Sequence, residues 1–174
     1  MTSAPANGAA LARAKDLIAD LRLSGVSCVL YGSRGVALHL GGPFRQLGDT
    51  DLLVDDAWLA ERWQDLQSVM AGLGYRLTDQ AEREFSDAAG NVVAFAAVSA
   101  LVQDGIVQAI GGDDLVMVDG VRTLSLPAFQ RPYEFSARDG YRRDQRNKND
   151  AEVIALIRSE VVDAAGPGGI KEEQ

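Results

Sequence analysis

Four residues early in the chain have the types and spacing that phosphate and metal chemistry requires. Gly32 and Ser33 follow one apolar segment, and Asp49 and Asp51 open the next. A glycine lets the backbone approach a ligand closely, and a serine hydroxyl can donate a hydrogen bond to it. Two aspartates at positions i and i+2 of a strand face the same side of a sheet, where they repel each other unless a cation lies between them. These residues therefore indicate a phosphate site beside a Mg²⁺ site, since Mg²⁺ is commonly held by one or two carboxylates plus substrate phosphates.

Two strands separated by a short helix must position these residues. The segment 26–31 is apolar almost throughout, which is typical of a strand that is buried on both faces. It ends at Gly32, and the helix that begins there favours an anion through its N–H groups and its dipole. The second strand, 50–54, begins at the aspartate pair and leaves it at the strand's edge. A purely structural interpretation, in which Asp49 opens or caps this strand, also fits the pattern.

The rest of the pattern predicts an α/β or α+β fold around one mixed sheet. An amphipathic helix over 8–23 precedes the first strand. A helix capped by Asp55 is predicted to run to Met70. Several short strands follow, including a hairpin whose turn is 119–120, and the last helix covers 148–162.

Length and composition limit the class of protein. A chain of 174 residues that is 47% hydrophobic fits one globular domain and excludes wholesale disorder. We place that domain at 1–162 and a flexible tail at 163–174. The single cysteine, Cys28, excludes an internal disulfide framework. Since no apolar run is long enough to cross a bilayer and no signal-peptide pattern begins the chain, we expect a cytoplasmic protein without membrane contact.

The charge balance weighs against a general affinity for nucleic acid. The net charge is −8, and such binding depends on neutralising phosphates with Lys and Arg. Basic residues gather only over 131–148, where aspartates are interleaved with them. We interpret that cluster as a solvated helical face, with a local anion site as the alternative.

The order of these motifs resembles the nucleotidyltransferase superfamily related to DNA polymerase β. That superfamily carries Gly-Ser at a strand end, then a short helix, then Asp-x-Asp at the opening of the next strand. The segment 29–54, VLYGSRGVALHLGGPFRQLGDTDLLV, is similar to small bacterial nucleotidyltransferase-like proteins, including toxins of abortive-infection type. The lincosamide and aminoglycoside nucleotidyltransferases are a neighbouring branch. The resemblance implies a nucleotidyltransferase-type mixed sheet with flanking helices and a small C-terminal helical extension.

The resemblance also implies a role for each residue of the two motifs. Gly32 and Ser33 would hold the triphosphate of an incoming NTP. Asp49 and Asp51 would be the catalytic carboxylates that coordinate Mg²⁺. The implied activity is Mg²⁺-dependent transfer of a nucleoside monophosphate from an NTP onto an acceptor hydroxyl of a small molecule, a protein or an RNA end. Antibiotic resistance and toxin–antitoxin systems are the settings that such proteins suggest.

Three further residues match the superfamily's pattern outside these motifs. Arg45 occupies the arginine position before the carboxylates, where it would reach a phosphate or pin the loop. Lys148 would lie where the superfamily often carries a helix lysine near the nucleotide. His39 matches a histidine of the pattern, although we expect it to be a helix-end side chain that is packed and hydrogen-bonded locally.

The chain departs from the pattern at the third carboxylate, which the superfamily usually adds from a later strand. That position falls on Ala94. Glu84 on the preceding strand, or Asp113 or Asp114 in a later loop, could supply the missing group. If none does, the resemblance implies a catalytically impaired module that binds a nucleotide or a protein partner in a toxin–antitoxin or defence system.

Overall fold

A computed structural model of the chain describes residues 4–41, 47–103, 112–138 and 150–165. They form two compact units that divide between Ser125 and Leu126. The first unit carries a seven-stranded mixed sheet. The second carries two helices that pack against each other, α6 (Leu126–Arg138) and α7 (Asp150–Ala165). The predicted mixed α/β fold is confirmed, and the assignment of 1–162 to one domain stays a prediction.

The first unit begins with alternating helices and strands and continues mainly with strands, as the sequence predicts. In chain order they are α1 (Ala4–Leu23), β1 (Cys28–Tyr31), α2 (Gly32–Leu40), β2 (Thr50–Val54), α3 (Asp56–Ala60), α4 (Trp63–Gly72), β3 (Arg76–Asp79), β4 (Glu84–Ser86), β5 (Val92–Ala97), α5 (Val98–Gln103), β6 (Leu115–Val118) and β7 (Val121–Leu124). The predicted hairpin at 119–120 is confirmed as the turn between β6 and β7.

The strand order across the sheet is β3-β4-β5-β2-β1-β7-β6. β2 lies in the middle, antiparallel to β1 on one side and parallel to β5 on the other. β3, β4 and β5 form an antiparallel meander, and the β6–β7 hairpin joins the sheet where β7 runs parallel to β1. β2, which directly follows Asp49 and carries Asp51, therefore lies between β1, which ends just before Gly32, and β5, which carries Ala94.

One face of this sheet packs against helices. Leu30, Leu52 and Phe85 are fully buried in a core that also receives side chains from α1, α3 and α4. Successive side chains of a strand point to opposite faces. Tyr31 and Asp51 therefore lie on the opposite face, each beside a core residue of its own strand.

The predicted helix from Asp55 to Met70 is wrong in one respect, because the segment forms two helices, α3 and α4. Asp55 does cap α3, as expected. Arg62 lies between the helices with non-helical dihedral angles (φ −114°, ψ 24°). Its guanidinium stacks 3.6 Å from the centre of the Trp58 ring, and its Nε donates a 3.1 Å hydrogen bond to Asp65 Oδ2. The apolar spacing runs unbroken through this corner, so periodicity alone does not reveal it.

None of the helices in the described ranges combines the length and apolar character that crossing a membrane would require.

Candidate functional site

The pairing of β1 with β2 brings the two motifs together. The register pairs Leu30 with Leu52 and Tyr31 with Asp51. Because Gly32 directly follows Tyr31, the first residue of α2 lies beside Asp51. Two motifs separated by the whole of α2 and a loop therefore meet at one end of the β1–β2 pair, as the sequence predicts.

Gly32 is the point of closest approach between the motifs. Its φ of +62° lies in the left-handed region that side chains disfavour. A Cβ at this position would collide with Oδ2 of Asp51 and would lie 3.0 Å from Cγ of the same carboxylate. Only a glycine therefore lets the Asp51 carboxylate lie directly over the beginning of α2.

Ser33 connects α2 to the loop that leads into the aspartate pair. The Gly48 N–H donates a 3.1 Å hydrogen bond to Ser33 Oγ. This bond fixes the residue immediately before Asp49. Ser33 and Asp49 are thus brought together, and the hydroxyl proton of Ser33 is not used in that bond, since the oxygen accepts.

Arg34 holds the same loop from the buried side, and the motifs in the sequence do not include it. Its Nε donates a 3.0 Å hydrogen bond to the Gly48 carbonyl, and its Nη1 donates a 3.0 Å bond to the Ala10 carbonyl in α1. The side chain is only 6% exposed, which is unusual for an arginine. A charged residue among the apolar positions of α2 is the signal in the sequence that could have identified it.

Arg34 is close enough to both aspartates to interact with their charges. Burial lowers the pKa of the Arg34 guanidinium from its ordinary value, and the charge of Arg13 lowers it further. The carboxylates of Asp49 and Asp51 act in the opposite direction and raise this pKa. Arg34 therefore supplies a fixed positive charge close to the aspartate pair, as well as its two hydrogen bonds.

The exposure of the two aspartates fits a ligand-binding role. Asp49 is exposed and Asp51 is half-buried, so both can reach a ligand from solvent. Among the described residues, no group of three or more His, Cys, Asp or Glu side chains is close enough to hold a metal ion. From the described part of the chain, a cation at this site would thus take at most two carboxylates, and further ligands would come from substrate or water.

Of the three further residues that match the superfamily's pattern, the structure describes one. Arg45 and Lys148 lie outside the described residues, so their predicted contacts with a nucleotide stay predictions. The ring Nε2 of His39 donates a 2.7 Å hydrogen bond to the Leu124 carbonyl at the end of β7. His39 is thus a hydrogen-bonded side chain, as expected, although its partner belongs to a distant strand.

The strand order separates the candidates for the third carboxylate. Ala94 pairs with Asp51 across β5 and β2, and Glu84 pairs with Ala94 across β4 and β5. Asp113 and Asp114 directly precede β6, which is the third strand from β2 on the opposite side of it. Since neighbouring strands are about 4.8 Å apart, the beginning of β6 is about 14 Å from β2. Of these three acidic residues, Glu84 is nearest to Asp51 in the strand order, because β4 is two strands from β2 and β6 is three.

No family model matches the chain. A relative from Bacillus subtilis (strain 168), the protein YnaI, is 29% identical over 133 residues, which cover 74% of this chain and 82% of YnaI.

The fold is also found in solved structures. The crystal structure of ANT(2")-Ia in complex with adenylyl-2"-tobramycin superposes with a TM-score of 0.59 at 16% identity, covering 87% of this chain and 88% of that one. The solution structure of the antibiotic-resistance factor ANT(2'')-Ia superposes with a TM-score of 0.54 at 16% identity, covering 89% and 91%. The chain therefore has the nucleotidyltransferase-type fold of the aminoglycoside nucleotidyltransferases.

Proposed function

We propose that this protein is a Mg²⁺-dependent nucleotidyltransferase that moves a nucleoside monophosphate from an NTP onto an acceptor hydroxyl. The observation that carries the proposal is the contact between the motifs: the Asp51 carboxylate lies over Gly32, at the beginning of α2. A phosphate at a helix N-terminus would there be next to a carboxylate that can hold its counter-cation.

Each residue of the site has a part in this proposal. The backbone at Gly32 and the hydroxyl of Ser33 bind the phosphates. Asp49 and Asp51 hold Mg²⁺, which when bound would stabilise the negative charge that develops on the phosphates during transfer. Arg34 keeps the loop before Asp49 in place through the Gly48 carbonyl. Arg45 and Lys148 are further candidates for contact with the nucleotide.

The solved structures of similar fold suggest the first substrates to test. ANT(2")-Ia binds adenylyl-2"-tobramycin, in which an adenylyl group is joined to an aminoglycoside. ATP is therefore the first nucleotide to test here, and the hydroxyls of tobramycin are the first acceptors. Protein side chains and RNA ends remain alternative acceptors, although the net charge of −8 disfavours RNA.

A transfer assay tests this function. The protein is incubated with Mg²⁺ and each α-labelled NTP, with tobramycin, a protein extract or a short RNA as the acceptor, and pyrophosphate release and label transfer are measured. We expect Asp49→Asn and Asp51→Asn each to lower pyrophosphate release at least about 100-fold, because each removes a direct metal ligand. The exposed Asp16 in α1 provides the control, and Asp16→Asn should leave the rate unchanged. Wild-type activity that survives Asp51→Asn would make the aspartate pair structural.

Ala94 favours one alternative, because it stands where the superfamily usually has a third carboxylate. In that alternative the chain is a catalytically impaired module that binds a nucleotide at the same site, or a protein partner, in a toxin–antitoxin or defence system. Mg²⁺-dependent NTP binding without any pyrophosphate release, in a protein shown to be folded, would support the alternative over the transferase.

A further inference from the structure

The face of the sheet that carries Asp51 presents one row of side chains across four neighbouring strands. The registers pair Tyr31 with Asp51, Asp51 with Ala94, and Ala94 with Glu84. Each pair consists of residues directly opposite each other, whose side chains point to the same face. The row thus has a carboxylate in the middle of the sheet, a methyl group next to it, and a second carboxylate beyond the methyl.

The core on the other face fixes the direction of Glu84. Its neighbour Phe85 is 1% exposed and packs edge-to-face on Phe95, with the ring centres 5.7 Å apart. Because side chains alternate along a strand, a buried Phe85 turns Glu84 to the face of Asp51. A slip of β4 by one residue would bring Phe85 out of the core, so the register that places Glu84 here is strongly held.

We infer that Glu84 is the general base of this site, and that it accepts the proton of the acceptor hydroxyl from the strand next to the usual one. This inference rests on the proposed transferase function. Glu84 and Asp51 are two strand spacings apart, about 9.5 Å between Cα atoms. Glu84 does not join Asp49 and Asp51 in one metal site, because no group of three such side chains among the described residues is close enough to hold a metal ion.

The separation between Glu84 and Asp51 suits a base that lies opposite a phosphate. A base needs a heavy-atom distance of about 2.6–3.2 Å to the hydroxyl that it deprotonates. The hydroxyl oxygen must in turn lie about 3–3.5 Å from the atom it attacks. An acceptor hydroxyl and a phosphorus atom therefore need a gap between the base and the phosphate site, and the methyl side chain of Ala94 leaves that gap.

Glu84 takes part in the transfer of the nucleoside monophosphate to the acceptor. The acceptor oxygen forms a bond to the α-phosphorus of the NTP while its proton moves to the Glu84 carboxylate. The bond between the α-phosphorus and the bridging oxygen of the β-phosphate breaks, and pyrophosphate leaves with the electron pair. Glu84 afterwards releases the proton to solvent.

The test combines a removal, a control and a rescue. Glu84→Gln keeps the size of the side chain and removes the base, Glu82→Gln changes an exposed glutamate just before β4, and the double variant Glu84→Gln/Ala94→Asp returns a carboxylate to the usual strand. Pyrophosphate release is measured with MgATP and tobramycin, and also with water as the acceptor, across a pH series. MgATP affinity is measured by calorimetry on the same samples.

We expect Glu84→Gln to lower the turnover rate about 100-fold or more while MgATP affinity changes less than about threefold, because a base acts on the rate of the chemical step. The acidic limb of the pH profile should disappear in this variant and return in the double variant, and Glu82→Gln should behave as wild type. A Glu84→Gln rate within about threefold of wild type would overturn the inference and leave the transferase intact. Loss of MgATP affinity equal to the loss of rate would also overturn it, since Glu84 would then be a binding residue. A wild-type protein that binds MgATP and releases no pyrophosphate with any acceptor would instead overturn the proposed transferase, and the base with it.

Discussion

Gly32→Ala adds one methyl group at the point where the two motifs touch, and the structure allows its cost to be divided into two parts. The first part is backbone strain, because the φ of +62° costs a side-chain-bearing residue about 1–2 kcal/mol. The second is the collision with the Asp51 carboxylate, which must move to make room. Overpacking of this kind costs about 1–3 kcal/mol. After the smaller entropy of the unfolded alanine chain is subtracted, we expect a loss of about 2–4 kcal/mol in the free energy of unfolding.

Two other glycines separate these parts. Gly25 has a φ of +82° and nothing within 4 Å of where its Cβ would lie, so Gly25→Ala carries the backbone strain alone. We expect that variant to lose about 1 kcal/mol. In Gly48→Ala the new Cβ would make an ordinary 3.5 Å contact with Ser33 Oγ, without a positive φ. Gly48→Ala therefore measures the effect on stability of a methyl group beside the site, without backbone strain and without a collision.

Urea unfolding followed by tryptophan fluorescence measures all three variants, and calorimetry with MgATP measures the function of the site. Gly32→Ala should be the least stable of the three and should bind MgATP at least about tenfold more weakly, because the Asp51 carboxylate has moved. If Gly32→Ala and Gly25→Ala lose the same free energy within about 0.5 kcal/mol, the close approach of Asp51 to Gly32 is refuted.

Three further predictions concern burial and hydrogen bonding. Arg34→Met should lower the free energy of unfolding by about 2–4 kcal/mol, because two carbonyls lose a charged donor. The control Arg22→Met, at an exposed position, should change it by less than about 0.5 kcal/mol. Equal urea midpoints for the two variants would contradict this prediction. Burial raises the pKa of Cys28 to about 12, so its thiol should react with a disulfide reagent at pH 8 only after urea is added, and rapid labelling of the native protein would contradict the burial. The Asn91 side chain and N–H hold the pKa of Asp87 below its ordinary value, so the carboxylate stabilises the β4–β5 turn above its unfolded pKa and loses this effect as the pH falls through its folded pKa. Asp87→Ala should therefore destabilise the protein more at pH 7 than at pH 3 in urea titrations, and an equal loss at both would refute the role of the charge.

The sequence predicted those parts of the site that depend on local order. Gly32-Ser33 ends a strand and begins a helix, and Asp51 lies at the start of the next strand, so short-range patterns are enough to locate them. The meeting of the two motifs could be predicted as well, because the resemblance assigns both of them to one nucleotide site. The pairing of Tyr31 with Asp51, which brings them together, is visible only in the structure.

The rest depends on contacts between residues that are distant in the chain. The pairing of Glu84 with Ala94 and of Ala94 with Asp51 follows from strand order and register, which no spacing in the sequence specifies. The position of Arg34 also depends on distant residues. Its hydrogen-bond partners, the carbonyls of Ala10 and Gly48, lie before and after it in the chain. The corner at Arg62 does not follow from apolar periodicity, which continues through it, whereas the stacking of Arg62 on Trp58 is visible only in the structure.

Calorimetric titration shows whether the meeting point of the two motifs holds a nucleotide together with Mg²⁺. Each of the four NTPs is titrated into the wild-type protein and into Asp51→Asn, with and without Mg²⁺, after circular dichroism has shown that both are folded. We predict that at least one NTP binds the wild type, that binding requires Mg²⁺, and that Asp51→Asn abolishes it. A folded wild-type protein that binds none of the four, or whose binding is indifferent to Mg²⁺ and to Asp51→Asn, would contradict the account.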